Sequence, residues 1–178
     1  MRQNWIFWRD GIGQEQINKI EEIASAVDWQ GATIFGNAEN VRESDVKWLS
    51  DNQQVKQLLF AYVSEANKFF NVDVTDECEI QFTQYKGSKK GFYDWHHDIY
   101  WTSEANTDRK VSISILLSEP SKDFDGGRLA FDEVTNKGID WQKGSVLCFP
   151  SYLRHSVSPV TRGTRKSLVA WFSGPRWR

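Results

Sequence analysis

Cys78-Glu79-Ile80-Gln81-Phe82-Thr83-Gln84-Tyr85-Lys86 and, past a Gly87-Ser88-Lys89-Lys90-Gly91 turn, Phe92-Tyr93-Asp94-Trp95-His96-His97-Asp98 mark where the chain changes character. From this point on, apolar residues come in short runs separated by turn residues, the pattern of strands. Further strands are expected at roughly 109–117, 127–132, 144–149, 155–160 and 165–172, divided by residues 123–127, Asn136-Lys137-Gly138 and Thr161-Arg162-Gly163. Upstream the period is helical. Ile17, Ile20, Ile23, Ala24 and Val27 predict a helix over roughly 14–27 with one buried face. Val55, Leu58, Leu59, Tyr62, Val63, Ala66, Phe69 and Phe70 predict a second, capped by Asp51 or Asn52. Strands at about 4–8 and 31–35, a loop at about 36–40 and an extended segment at about 41–49 complete the reading. Helices first and antiparallel strands second point to an α+β, mainly β chain: a double-stranded β-helix, or cupin-like jelly roll, with N-terminal helices packed on one sheet. One domain over residues 1–178 is expected, with helical support over roughly 14–70 and a β core over roughly 78–174.

Composition removes several function classes. Across 178 residues, 22 Lys and Arg against 24 Asp and Glu give a net charge of -2, which offers no cationic field for a nucleic acid. No apolar run reaches the ~18–20 residues of a membrane span, and Met1-Arg2-Gln3-Asn4 opens no signal-peptide pattern, so a cytoplasmic protein is expected. Cys78 and Cys148 are too few for a disulfide or zinc framework and read as reduced, buried thiols. A monomer is the default.

The three histidines can be weighed one by one. On a strand, alternate side chains share a face, so His96 and Asp98 point one way and His97 points the other, as packing. His155 starts a later strand, just after a corner at 150–154. Two imidazoles and a carboxylate on a rigid sheet, with positions left open, form the donor set of a non-haem Fe(II) centre that binds a chelating acid and dioxygen. Calcium or magnesium would call for more oxygen ligands. A lone strand histidine is ordinarily packing, so the pattern gains weight only from Arg165-Lys166-Ser167. With 155–160 and 165–172 paired as a hairpin, Arg165 falls ~13 Å along the sheet from His155. From there a guanidinium meets the far carboxylate of a five-carbon diacid with its planar fork, and Ser167 adds a hydroxyl on the same side.

Taken as a set, Tyr85-(x)10-His96-x-Asp98, Asp125-Gly126-Gly127-Arg128-Leu129, and His155-Ser156-Val157-Ser158-Pro159-Val160 leading to Arg165 and Trp171 resemble the 2-oxoglutarate and Fe(II)-dependent dioxygenases, in their prolyl-4-hydroxylase-like branch. The resemblance covers about residues 78–174 and extends weakly upstream, where Val41-Arg42-(x)5-Trp48-Leu49 is similar to the segment after the substrate-covering loop. It implies that His96, Asp98 and His155 bind Fe(II), that Arg165 holds the distal carboxylate of 2-oxoglutarate, and that Tyr85 is a second partner for that cosubstrate. It further implies O2 as oxidant, ascorbate as reductant, decarboxylation of 2-oxoglutarate to succinate, and a proline-containing protein or peptide as substrate. Asp98 stands where the halogenating branch has a small residue, which implies hydroxylation. The family's acidic residue two positions after the equivalent of Arg42 is Ser44 here, beside Asp45, which puts the usual loop-stabilising ion pair in doubt.

Tyr93, Trp101 and Trp171 together are expected to line the site, although each alone is as readily core. Asp94 is left outside the site as a solvated strand-end carboxylate. Lys86, Lys89, Lys90, Arg154 and Arg162 read as charges that keep turns in water. Glycines at 36, 87 and 91 mark loops at 36–40 and 86–91 with the composition of a lid. Two other readings fit the triad less fully: a cupin-like metalloenzyme that does not use 2-oxoglutarate, and a noncatalytic peptide-binding jelly roll. Arg165→Ala separates the first, and a thermal shift with iron and the diacid separates the second.

Overall fold

The computed structural model describes residues 3–31 and 41–178; the loop expected over 36–40 and most of the strand expected over 31–35 lie outside them. In chain order the elements are β1 (Ile6–Trp8), α1 (Gln14–Ser25), β2 (Gln30–Gly31), β3 (Arg42–Glu43), β4 (Asp45–Trp48), α2 (Gln53–Phe70), β5 (Cys78–Lys86), β6 (Phe92–His96), β7 (Thr107–Leu116), β8 (Phe124–Gly126), β9 (Leu129–Phe131), β10 (Val146–Pro150), β11 (His155–Val157) and β12 (Val160–Pro175). The larger sheet runs β1-β10-β7-β12-β5-β4-β2, with β8 also on β12, and the smaller runs β3-β6-β11-β9. The ladders between these strands are antiparallel.

The period of two along the larger sheet sorts its residues into two compartments. Val111, Ile113 and Ile115 of β7, Leu168, Ala170 and Phe172 of β12, Ile80 and Phe82 of β5, and Val146 and Cys148 of β10 face the helices, packing with Ile17, Ile20 and Ala24 of α1 and Val55, Leu59, Val63, Ala66 and Phe70 of α2. Their alternates face the smaller sheet, where Leu147 and Phe149 meet Leu129, Phe131 and Val157. Gln81, Thr83, Ser112, Ser114, Arg165 and Ser167 are buried on that same inward face, so the space between the sheets has a polar end. A buried polar row needs partners or a ligand.

Helix α2 begins where Asn52 accepts a hydrogen bond from Val55 N at 3.0 Å and ends at Asn71 in the left-handed region, φ 53°. Phe69, expected on its buried stripe, is instead 63% exposed, since the stripe of an 18-residue helix passes it by.

The expected hairpin between 155–160 and 165–172 does not form. β11 pairs with β6 and β9 in the smaller sheet, while β12 starts at Val160 and runs unbroken in the larger one. Thr161-Arg162-Gly163 reads as a turn but lies inside β12, paired with β8. Gly163 has φ +69°, and a Cβ there would sit 1.9 Å from Asp123 O, so the bend where β12 passes β8 requires glycine. Arg165 therefore reaches the space between the sheets from the sheet opposite His155, not from farther along one sheet.

Candidate active site

His96 ends β6, Asp98 lies two residues beyond it, and His155 opens β11, directly opposite His96 in the ladder. Their side chains converge. His96 Nε2 lies 3.6 Å from Asp98 Oδ1 and His155 Nε2 lies 3.5 Å from Asp98 Oδ2. One donor atom from each residue falls within 4.8 Å of the other two. The two rings are held in the same way: His96 Nδ1 is 2.7 Å from Asp94 O and His155 Nδ1 is 2.9 Å from Leu153 O. A carbonyl only accepts, so each Nδ1 carries a proton and each Nε2 is the nitrogen turned toward the carboxylate. Burial pushes the His155 imidazole down to about 4, so it is neutral near pH 7. Burial alone would raise the Asp98 carboxyl, but His155 and His96, with Arg109 behind them, hold it well below the usual range. A neutral imidazole at His155 and an ionised carboxylate at Asp98 are protonation states that suit a divalent cation.

His97 turns away to Tyr152 O at 2.8 Å, and Asp94, in the middle of β6 and not at its expected end, accepts from its neighbour Trp95 N at 2.8 Å. Neither joins the cluster.

The triad opens onto a cavity between the sheets, lined by Tyr85, Tyr93, Ser114, Phe149, Arg165 and Trp171 among others. Arg165 sits directly opposite Tyr85 in the β5–β12 ladder, with its guanidinium carbon 5.6 Å from that ring. Its Nη1 donates to Ser167 Oγ at 3.1 Å, which leaves the Ser167 proton free to donate elsewhere. Only 3% of Arg165 is exposed, burial pulls its pKa down, and no carboxylate among the described residues lies within ion-pair distance. A buried cation without an anion is costly, which suits the site to an acidic ligand.

Tyr93 stacks on His96 with centroids 3.4 Å apart. Trp171 is buried, and its Nε1 is buried with no hydrogen-bond partner among the described residues. Trp101 is 60% exposed and stands outside the lining, because it follows the triad strand's end in a turn. The 86–91 segment is a short 3-10 turn pinned by the 2.8 Å Lys86–Asp45 ion pair and by Val160 N donating to Gly91 O at 2.9 Å.

Three further residues shape the site, and of these only Arg42 had stood out in the sequence. Arg42 donates to Ser44 Oγ at 2.8 Å and Gln81 Oε1 at 2.7 Å, with its guanidinium 4.6 Å from the Tyr93 ring, so a hydroxyl takes the place of the family's acid. Arg109 lies between the Trp171 and Tyr100 rings at 4.1 and 5.2 Å and pairs with Glu79. Ser112 donates to Asp98 Oδ2 at 2.6 Å. For Ser112 the hint in the sequence is its alternation, with Ser114, against Val111, Ile113 and Ile115.

Residues 80–173 match the family model of the 2OG-Fe(II) oxygenase superfamily. The chain belongs to this superfamily. As a 2OG-Fe(II) oxygenase it is an enzyme that uses Fe(II), 2-oxoglutarate and O2, which sets aside the noncatalytic reading and the metalloenzyme without 2-oxoglutarate. Among similar proteins is a PKHD-type hydroxylase of Xanthomonas campestris, 24% identical over 91% of this chain and 75% of its own length. A Pseudomonas putida prolyl-4-hydroxylase superimposes with a TM-score of 0.73 at 21% identity, covering 98% of this chain and 94% of that one. A Trichoplax adhaerens prolyl hydroxylase, solved with a hypoxia inducible factor peptide fragment, gives 0.73 at 16% identity over 95% and 83%. These likenesses establish the double-stranded β-helix. The donor set fits the 2OG-Fe(II) oxygenase cofactors: two imidazole Nε2 atoms and a carboxylate for the metal, and a buried guanidinium with no ion-pair partner among the described residues for the diacid.

Proposed function

We propose that this chain hydroxylates a prolyl residue in a protein or peptide, with His96, Asp98 and His155 as the Fe(II) ligands and Arg165, Ser167 and Tyr85 as the 2-oxoglutarate site. One observation carries the reading: a cation-ready triad and a buried guanidinium with no acid of its own share a single cavity. When bound, Fe(II) with 2-oxoglutarate and O2 supplies the oxidising power, one oxygen atom going to the substrate C–H bond and the other to succinate, with release of CO2. The chain's own part is geometric and electrostatic. Asp94 O and Leu153 O fix the two imidazoles with Nε2 forward. Arg165 pairs the distal carboxylate, and the freed Ser167 hydroxyl donates to it. Leu129, Phe149, Val157 and Val169 keep water from the cavity.

The prolyl assignment is supported by the peptide complex of the Trichoplax relative and by an aromatic wall of Tyr93 and Trp171 along the cavity. A cytoplasmic location is in keeping with the free thiols of Cys78 and Cys148. The test is incubation with Fe(II), ascorbate, 2-oxoglutarate and proline-containing peptides, followed by succinate assay and fragment mass spectrometry. One added oxygen on proline is expected, and oxygen placed only on other residues overturns the prolyl reading. His96→Ala, Asp98→Ala and His155→Ala should reduce succinate release to background. Arg165→Ala should raise the KM for 2-oxoglutarate about 10- to 100-fold, the worth of a charge-assisted pair.

A further inference from the structure

Asp98 is gripped by a chain of hydroxyls whose direction can be read. Ser112 Oγ lies 2.6 Å from Asp98 Oδ2 and 2.9 Å from Ser151 Oγ, and both serines are fully buried. A hydroxyl has one proton. The carboxylate cannot donate, so Ser112 gives its proton to Oδ2, and the Ser112–Ser151 bond must take its proton from Ser151. The relay therefore runs Ser151 to Ser112 to Asp98, and its last link is short, as charge-assisted O–H···O bonds are. It also joins three distant stretches of chain. Ser112 lies on the inward face of β7, and Ser151 stands in the corner that leads to His155. The peptide N–H of Asp98 donates to Ser151 O at 3.0 Å, so Ser151 holds Asp98 through both backbone and side chain.

We infer that Ser112, backed by Ser151, is the positioning residue that reserves Asp98 Oδ2 and holds this carboxylate to one metal-binding oxygen, Oδ1. The inference rests on the proposed His96–Asp98–His155 ligand set. Its consequence is a coordination count. A carboxylate free to rotate binds a divalent ion through both oxygens and takes up a position that a chelating cosubstrate and dioxygen need, whereas a carboxylate tied at Oδ2 leaves three positions open.

The test uses anaerobic Co(II) titration of the full chain, read by visible absorption and by calorimetric affinity. Wild type should bind one Co(II) and Asp98→Ala should lose it; if Asp98→Ala binds as wild type does, the ligand set itself is wrong. Given that control, Ser112→Ala should weaken Co(II) about 10- to 100-fold and shift the visible bands as the carboxylate changes its binding mode. Ser112→Thr, which restores the hydroxyl, should recover both affinity and spectrum. Ser151→Ala should give a loss of about 3- to 10-fold, and it carries the test alone if Ser112→Ala does not fold. Affinity within twofold of wild type with an unchanged spectrum, in Ser112→Ala or in Ser151→Ala where that variant stands alone, overturns the inference.

Discussion

Arg165 shows what a binding site costs a fold. Its guanidinium is buried against Tyr85 and Ser167 with no acid within ion-pair distance among the described residues, and burial pulls its pKa down, so the cation is a burden that the proposed diacid would relieve. Replacing such a group by an apolar side chain of similar length removes the penalty. Arg165→Met should therefore raise the stability of the ligand-free protein by about 1–4 kcal/mol in urea unfolding. The same variant should lose the ~2.7 kcal/mol that 2-oxoglutarate at a hundredfold its Kd adds to the wild type. His155 makes the complementary prediction for pH. Its folded pKa of about 4 lies below the ~6.5 of an unfolded histidine, so between these values the unfolded chain takes up a proton that the folded chain refuses. Stability of the metal-free protein should fall as pH drops from about 6.5 to 4, and Asp98, also depressed, should add to the loss at the acid end. His155→Asn should flatten the first part of that profile in pH-dependent urea titrations. A steep fall that survives the substitution would exclude His155 as its source.

Elements report how far the sequence could be read, and where reading stops. β5 runs Cys78–Lys86, as the pattern expected, and α2 begins at Asn52, one of the two expected caps, because local periodicity and capping chemistry decided both. His96 and Asp98 were legible as neighbours from their spacing, although β6 ends at His96 and Asp98 is held beyond it by its peptide N–H on Ser151 O and by Ser112, not by strand alternation. β12 was misread because Gly163, a turn signal in isolation, serves a bend inside a strand, and pairing with β8 is a long-range fact with no local signature. The serines behind Asp98 were illegible for a related reason, since a serine's role depends on what lies across the cavity. Phe69 left the buried stripe of α2, and Leu59 defines it: no part of Leu59 is exposed. Leu59→Ala should lower stability by about 2–5 kcal/mol in urea unfolding, with KM for 2-oxoglutarate unchanged in the folded enzyme, because the cavity it creates faces the helix and not the site. A raised KM would show that the helix layer is transmitted into the active site.

At the scale of the whole molecule, the larger sheet is a partition. One face presents Val111, Ile113, Ile115, Leu168, Ala170 and Phe172 to the helices, and the other presents Ser114, Arg165 and Ser167 to the cavity, with Ser112 buried behind Asp98. Stability is concentrated on the first side and chemistry on the second, with the strand backbone between them. Residues that share no partner and sit in separate packed clusters act independently on stability, their effects adding within about 0.5 kcal/mol. Arg165→Met and Leu59→Ala lie on opposite sides of this partition and should offset one another: the double variant should unfold with a free-energy change equal to the sum of the singles to within that margin. The 2-oxoglutarate response should follow Arg165 alone, absent in Arg165→Met and in the double variant, and intact in Leu59→Ala. Coupling well above 1 kcal/mol would mean that β12 yields between the two layers, and the separation of supporting core from reactive cavity would have to be replaced by a single cooperative interior.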